Sequence, residues 1–277
     1  MMSDQNMGFV DSHAHLDFPD FQDDLDDIVE RSKAAGIRRI VTIGTDLESS
    51  ANSIALAERF DNVYAVVGWH PCTALEAPED IRSELREMAA HPKVVAIGET
   101  GLDYHHLPSE EEGKSADDDA LYKTAQTRIF EQQMEVAAEA GLNIVVHQRD
   151  AYDDAIKQWA PFATKGVRGV FHCFVGTVAE MQHVIGMAGL VSFTGIVTFK
   201  NAASVRETLA ATPIDCLMLE TDCPYLAPVP YRGKRCEPAY VKEIAAQVAA
   251  VKGVRLDVLA SATNATAEGF YRGMAER

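Results

Sequence analysis

Eight short apolar segments rich in β-branched residues recur along the chain, and longer segments of helical periodicity separate most of them. Residues 94–97 and 144–146 are apolar at every position, which is typical of strands buried on both faces of a parallel sheet. Such an alternation is the pattern of repeated βα units. The predicted strands span residues 8–11, 37–43, 63–68, 94–98, 143–147, 169–172, 189–194 and 216–220.

The length of the chain suits one large core. With 277 residues, of which 47% are hydrophobic, residues 1–277 are predicted to form a single (β/α)8 domain, the TIM barrel of the α/β class. Gly36 and Gly141 follow two helical segments, at the place where a left-handed residue ends a helix. The predicted helices span residues 23–35, 47–59, 80–90, 121–140, 177–187 and 204–211, with 238–251 and 256–271 after the eighth strand.

One segment departs from this rhythm. Residues 109–120, after the fourth strand, are rich in Glu, Asp, Ser and Gly and lack periodicity, which predicts a solvated acidic loop. As a surface insertion the loop needs no function, because loops absorb extra length at little cost in free energy. The alternative is a lid near the mouth of the site.

The net charge and the cysteines limit the class of protein. The chain has 25 Lys and Arg residues against 42 Asp and Glu, a net charge of −17, so its surface should repel polyanions. A nucleic-acid substrate would have to be attracted locally. Five widely spaced cysteines without a Cys-x-x-Cys pair are typical of reduced thiols, and we expect a cytoplasmic protein. No run of about 18 apolar residues predicts a membrane span, and no feature indicates an obligate protein partner.

Histidines and carboxylates stand where the predicted strands end. Because the carboxyl ends of barrel strands face one mouth, we expect these side chains to lie together there. Several imidazoles and carboxylates buried at one place need partners, since an unpaired buried polar group costs about 1–3 kcal/mol. Divalent metal ions are such partners. The candidate metal ligands are His13, His15, Glu99, His147, His172 and Asp222.

These ligands suit two ions better than one. A His-x-His pair is a weak signal alone, but His13 and His15 lie two residues apart in a strand and project to one side. Six ligands exceed the needs of one tetrahedral ion with an open water position, whereas two ions that share a carboxylate accommodate them. We interpret Glu99 as the bridge and Asp222 as completing the first site, and both as catalytic groups. The histidines after the fifth and sixth strands would hold the second ion. Magnesium, manganese and zinc all suit the set, and a water activated by the two ions would be the nucleophile.

Three further side chains are candidates for roles in catalysis. His70 follows the third strand and could orient substrate or carry a proton, although a hydrogen-bonded loop histidine is an equal interpretation. Glu220 lies two residues before Asp222 and could act as an acid, a base or an orienting carboxylate, or only line the barrel. Asp103 is either a loop cap or a reactant.

Basic residues near the predicted mouth are few. Lys200 follows the seventh strand, and Arg232, Lys234 and Arg235 fall within four residues on a loop flanked by Pro and Gly after the eighth. In an otherwise acidic protein this cluster predicts phosphate binding, chiefly by Arg235 and Lys234, with Lys200 nearby.

The order of these motifs resembles one known family, the TatD-type metal-dependent deoxyribonucleases. The resemblance implies a TIM barrel with a two-metal site that hydrolyses phosphodiester bonds in DNA. It further implies a 3′-to-5′ exonuclease on single strands, supported by magnesium or another divalent ion. All six candidate ligands match the family in residue type. The matching segments are DSHAHL at 11–16, GWHP at 68–71, AIGETGLDY at 96–104, VH at 146–147, FHCF at 171–174, GIVTFK at 195–200 and LETDCPYLAP at 219–228.

The chain departs from the family pattern in two places. The pattern after the aspartate usually reads Arg-Gly-Lys-Arg-Asn-x-Pro, and Cys236 stands here where Asn is expected. The cationic residues of the loop match the family pattern. The polar Asn that would orient the backbone of the loop is replaced by Cys236. The acidic segment at 109–119 is also longer than in the family, and over the mouth it would narrow the range of polyanionic substrates.

Two other functions stay open on sequence. A related barrel hydrolase could cleave an amide, an ester, a lactone or an aminoacyl-tRNA. In such amidohydrolases a carboxylated lysine commonly bridges the metals from the fourth strand, where Glu99 stands here, and this favours the nuclease. A non-catalytic metal-binding relic would have lost ligands, and none is lost.

Overall fold

The computed structural model describes residues 8–274, which form one sheet of eight parallel strands. The strands are β1 (Phe9–Ala14), β2 (Ile37–Ile43), β3 (Val63–Val67), β4 (Val94–Asp103), β5 (Asn143–Arg149), β6 (Gly169–Phe171), β7 (Leu190–Phe193) and β8 (Leu217–Leu219). Strands that follow one another in the chain are neighbours in the sheet. The sheet curves back on itself, since Ala14 bridges to Cys223 and the Asp222 N–H donates to the His13 carbonyl at 2.9 Å. The predicted (β/α)8 barrel is therefore confirmed as a nearly closed barrel.

Helices cover the outside of the barrel. They are α1 (Leu25–Ala34), α2 (Leu47–Arg59), α3 (Arg82–Ala89), α4 (Ala116–Ala140), α5 (Tyr152–Ala163), α6 (Val178–Gly186), α7 (Ala203–Ala211), α8 (Val241–Lys252) and α9 (Leu256–Phe270). Gly36 and Gly141 have φ values of 86° and 63°, the left-handed conformation expected after a helix. The sequence analysis missed α5. Pro161 lies in its last turn and obscures a buried face of Ala155, Ile156 and Trp159 at helical spacing.

The predicted acidic loop at 109–120 was wrong for its last five residues, because α4 begins at Ala116. Ser115 caps this helix, and its capping box with Asp118 satisfies N–H groups that the first turn leaves free. The acidic residues are favourable there, since carboxylates interact well with the positive end of a helix dipole. The aspartates that suggested a loop in the sequence therefore form the first turn of α4. The loop that precedes the helix begins with a short turn at Pro108–Glu110.

The interior of the barrel is packed at the end opposite the loops that follow the strands. There Phe270, Tyr271 and Met274 from the end of the chain are buried together with Val10 and other side chains from the starts of the strands. The Tyr271 hydroxyl donates to the carbonyl of Ser12 at 2.8 Å, deep inside the barrel. Apolar packing fills this end, whereas the carboxyl ends of the strands carry buried polar side chains such as His13, Glu99 and His172.

Two sequence-based expectations concern membrane-spanning segments and the state of the cysteines. Between residues 8 and 274 no helix is long and apolar enough to cross a membrane. All five cysteines lie in this range, and all are free thiols.

Candidate metal centre

Strands β1 and β4 run further than the sequence predicted, so that His13 and Glu99 lie within strands. In β4 the pairing with β5 changes register between Ile97 and Thr100. Such an irregularity re-aims a side chain, here that of Glu99. Gly98 permits it, because its φ is 147° and a Cβ there would lie 2.7 Å from the Val145 carbonyl oxygen.

The carboxylate of Glu99 lies at the centre of the candidate ligands and is only 2% exposed. Its two oxygens face different histidines. Oε2 lies 3.2 Å from Nε2 of His13 and 3.6 Å from Nε2 of His15. Oε1 lies 2.6 Å from Nε2 of His172 and 2.8 Å from Nδ1 of His147. Among the six candidate ligands, each oxygen therefore faces its own pair of imidazoles, which is the arrangement of a bridging carboxylate.

Asp222 completes the group on the side of the His-x-His pair. Its Oδ1 lies 3.5 Å from Nε2 of His15 and 3.8 Å from Nε2 of His13. Asp222 follows β8 with a φ of 58°, a left-handed conformation that turns the chain at the mouth. The structure thus brings all six predicted ligands into one cluster.

His70 joins the cluster from the loop after β3. Its Nε2 lies 3.4 Å from Oε1 of Glu99 and 3.3 Å from Nδ1 of His147. Its Nδ1 accepts a hydrogen bond from the Cys72 N–H at 3.1 Å, which assigns the proton of the neutral ring to Nε2. In that tautomer His70 is a hydrogen-bond donor at the edge of the cluster.

Asp103 orients His147, a role that the sequence analysis missed. Its Oδ2 lies 2.8 Å from Nε2 of His147, while its Oδ1 accepts the N–H of His105 at 2.9 Å. Burial alone would raise the pKa of Asp103, but the hydrogen bond with His147 brings it down to about 2. The carboxylate therefore holds the proton of His147 on Nε2 and leaves Nδ1 for a ligand. The spacing of four residues between Glu99 and Asp103 in β4 predicts that both side chains lie on one face, but it does not identify His147 as the partner.

We expect Asp103→Asn to weaken binding of one equivalent of Mn²⁺ by about 10- to 100-fold, the usual cost of losing a carboxylate that orients a metal-binding histidine. Calorimetric titration of the metal-free protein would measure it. Asp150→Asn is the matched control, because Asp150 pairs with His105 at 2.6 Å but is exposed at the rim. Unchanged affinity in Asp103→Asn would reduce Asp103 to a loop cap.

Glu220 lies below the cluster and has contacts that differ from those of the ligands. It is 1% exposed, and its Oε1 accepts the Cys173 N–H at 2.6 Å and lies 3.7 Å from Nδ1 of His172. Its Oε2 lies 3.5 Å from the Ser12 hydroxyl. These contacts connect the ends of β1, β6 and β8, and they place the Glu220 carboxylate next to His172 without a hydrogen bond between the two side chains.

The chemistry of the cluster fits bound metal ions. Nε2 of His13 and Nε2 of His15 approach to 3.3 Å, and Nδ1 of His147 and Nε2 of His172 to 3.2 Å. Imidazole nitrogens that converge in this way direct lone pairs at a common point, as metal ligands do. In addition, the buried Nδ1 atoms of His13 and His172 have no hydrogen-bond partner among the described residues.

The carboxylates of the cluster also favour positive charge within it. Burial would lower the pKa of His172, but the charge of Glu99 raises it well above its ordinary value. Burial would raise the pKa of Glu99, and the charges of His172 and His70 instead hold it well below. Only for His13 does burial prevail, and its pKa is lowered. A site that stabilises cations in this way fits divalent ions.

The predicted phosphate-binding residues lie on exposed loops at the mouth. Lys200 and Lys234 are exposed, and the Arg232 guanidinium stacks 3.6 Å from the centroid of the Phe199 ring. Arg235 has a further contact, because its guanidinium donates to Asp24 at 2.7 and 2.9 Å. The charge of Arg235 is thus offset by a carboxylate.

The chain is similar to known metal-dependent hydrolases. A family model described as TatD related DNase matches residues 10–272. The chain is 38% identical over 262 residues to the uncharacterized metal-dependent hydrolase YabD of Bacillus subtilis, covering 95% of this chain and 98% of that protein. It is 33% identical over 266 residues to the 3′-5′ ssDNA/RNA exonuclease TatD of Citrobacter rodentium, covering 94% and 97%. The crystal structure of YJJV, a TatD homologue from Escherichia coli K12, matches with a TM-score of 0.85 at 24% identity, covering 95% and 97%.

Proposed function

Because this chain belongs to the TatD-related DNase family and is a metal-dependent hydrolase, we propose that it removes nucleotides from the 3′ end of single-stranded DNA. The bond hydrolysed is the phosphodiester, and the cofactors are two divalent ions. The relative named as a 3′-5′ ssDNA/RNA exonuclease supports this choice of substrate and direction.

The observation that carries the proposal is the division of the two Glu99 oxygens between two histidine pairs. A buried carboxylate placed in this way can bridge two ions, and phosphodiester hydrolysis is a reaction that two-ion sites perform. The ions, when bound, would stabilise charge on the phosphoryl oxygens and activate water. We assign His13, His15 and Asp222 to one ion. We assign His147 and His172 to the second.

The remaining side chains bind and orient the substrate. His70, as a donor through Nε2, is placed to hold a phosphoryl oxygen at the edge of the cluster. We assign Lys234, Lys200 and Arg232 to the phosphate next to the reacting one. Arg235 contributes mainly by anchoring their loop, because its guanidinium already donates to Asp24. These cations would attract the phosphates of the substrate locally, whereas the net charge of −17 repels polyanions from the surface as a whole.

The test is digestion of end-labelled single-stranded and duplex DNA and RNA in a series of Mg²⁺, Mn²⁺ and Zn²⁺. We expect a ladder that shortens from the 3′ end. Cleavage of blunt duplex should be slower by about tenfold or more, because opening a terminal pair costs a few kcal/mol. His13→Ala is the control and should give no ladder. Intact oligonucleotides together with hydrolysis of an aryl ester or amide by the same metal-loaded protein would move the assignment to the amidohydrolase-type reaction.

A further inference from the structure

A row of three aromatic rings leads from the metal ligands to solvent. The ring of Phe18 stacks on the imidazole of His15, with centroids 4.6 Å apart and planes inclined by 21°. Tyr225 meets Phe18 edge to face, with centroids 6.2 Å apart. Tyr225 is 56% exposed and is the aromatic residue among the large hydrophobic side chains exposed in the described part of the chain. Two ring-to-ring steps therefore connect a candidate metal ligand with an open aromatic face.

The backbone around Tyr225 fixes this ring close to the site. Its N–H donates to the carbonyl of Asp222 at 3.0 Å, so the ring starts one tight turn after a candidate metal ligand. The next residue, Leu226, has a φ of 55°. The loop after β7 packs closely beneath it, since a Cβ at Gly195 would lie 2.0 Å from the Leu226 carbonyl oxygen. The backbone that carries the exposed ring is therefore held in place, and the ring itself contacts Phe18, which reduces the entropy lost on binding.

The chemistry of the ring selects the kind of ligand. Tyr225 offers an exposed aromatic face and no cationic group, so the ring itself is not a phosphate-binding group. An uncharged flat group suits the exposed face better. The cations that suit phosphate lie on the neighbouring loops, at Lys200, Arg232 and Lys234.

We propose that Tyr225, backed by Phe18, is a stacking subsite for one unpaired nucleobase of the substrate, while the backbone phosphates follow the cationic loops. The inference rests on the proposed function and makes it more specific. A base has a free face only in a single strand or at a frayed end, so the subsite accounts for selection of unpaired DNA. Stacking on an aromatic ring tolerates any base, and the subsite reads no sequence.

The experiment compares oligothymidylates that carry one abasic position, at the last, second or third nucleotide from the 3′ end, with the intact oligomer. In wild type, one of these positions should lower kcat/KM by about tenfold, within the range measured for base stacking on aromatic side chains. Tyr225→Ala should lower kcat/KM on the intact oligomer by the same factor. That abasic position should then cause no further loss, because the base has lost its partner.

Two variants and one measurement separate stacking from a structural role. Tyr225→Phe keeps the ring and should cleave the intact oligomer like wild type. Val258→Ala removes a similarly exposed apolar side chain from α9, outside the aromatic row, and should change nothing. The metal content of Tyr225→Ala, measured by elemental analysis, should equal that of wild type.

The failures are distinguishable. If wild type cleaves the intact and all three abasic oligomers equally, or if the losses from Tyr225→Ala and the abasic position multiply, the stacking subsite is wrong and the nuclease stands. If wild type cleaves no oligonucleotide with any metal, both the nuclease and the subsite are wrong.

Discussion

Glu99→Gln is expected to reduce phosphodiester hydrolysis by at least about 10³-fold, since the change removes several kcal/mol of charge stabilisation at the reacting phosphate. The substitution preserves volume in a site where the side chain is 2% exposed. It removes the negative charge that faces both histidine pairs and replaces one oxygen by an amide N–H, which cannot bind a metal. One variant should therefore weaken both ion sites.

Metal content and turnover of Glu99→Gln should be measured together. We expect fewer than two ions per chain by elemental analysis and an unchanged far-ultraviolet circular dichroism spectrum. Glu30→Gln is the control, because Glu30 is an exposed carboxylate on α1 that forms a salt bridge with Lys33 and lies outside the cluster. Full occupancy by two ions in Glu99→Gln would refute the bridging role, whatever the rate.

Removal of divalent ions should abolish hydrolysis and lower thermal stability. The cluster contains three buried or half-buried carboxylates and several imidazoles whose lone pairs converge, and bound ions offset that electrostatic cost only in the folded state. At about 100 times Kd, one bound ion stabilises the fold by about 2.7 kcal/mol. For a chain of 277 residues such a gain corresponds to a Tm higher by roughly 5 °C.

Calorimetry of chelated and metal-loaded protein measures this difference. The same comparison in Glu99→Gln should give a smaller rise in Tm, because the shared ligand is lost. Equal Tm values with and without millimolar Mn²⁺ would show that the cluster binds no ion in the folded state, and the metal centre would then be wrong.

The clustering of the six candidate ligands could be predicted because its evidence is local. His13 and His15 alternate with apolar residues in a strand, and each remaining ligand stands at or near the end of an apolar run. A parallel barrel places all such ends at one mouth, so strand period and topology together were enough to gather the six residues. The eight strands were predicted from short apolar runs rich in β-branched residues that alternate with longer helical segments, which is the pattern of βα units.

Pairings between distant segments could not be predicted in this way. The contact of Asp103 with His147 joins β4 to β5, and that of Arg235 with Asp24 joins the last barrel loop to the start of α1. In each case the partner is one of many carboxylates in an acidic chain. The partner is the carboxylate that the tertiary structure brings within hydrogen-bond distance, and a local sequence pattern does not contain that distance. Hence the sequence did not indicate that Arg235 of the cationic loop is already paired with a carboxylate.

The sequence alone thus determined the strands and most of the helices, through their periodicity. It also determined the strand-end positions of histidine and carboxylate and the family of the chain. The tertiary structure decided that the two oxygens of Glu99 face separate histidine pairs, that Tyr271 fills the barrel from below, and that Tyr225 stands open beside Asp222. The physical reason is range. Backbone preferences and side-chain alternation act over a few residues, whereas the direction of a carboxylate or a ring is set by packing against segments far away in the chain.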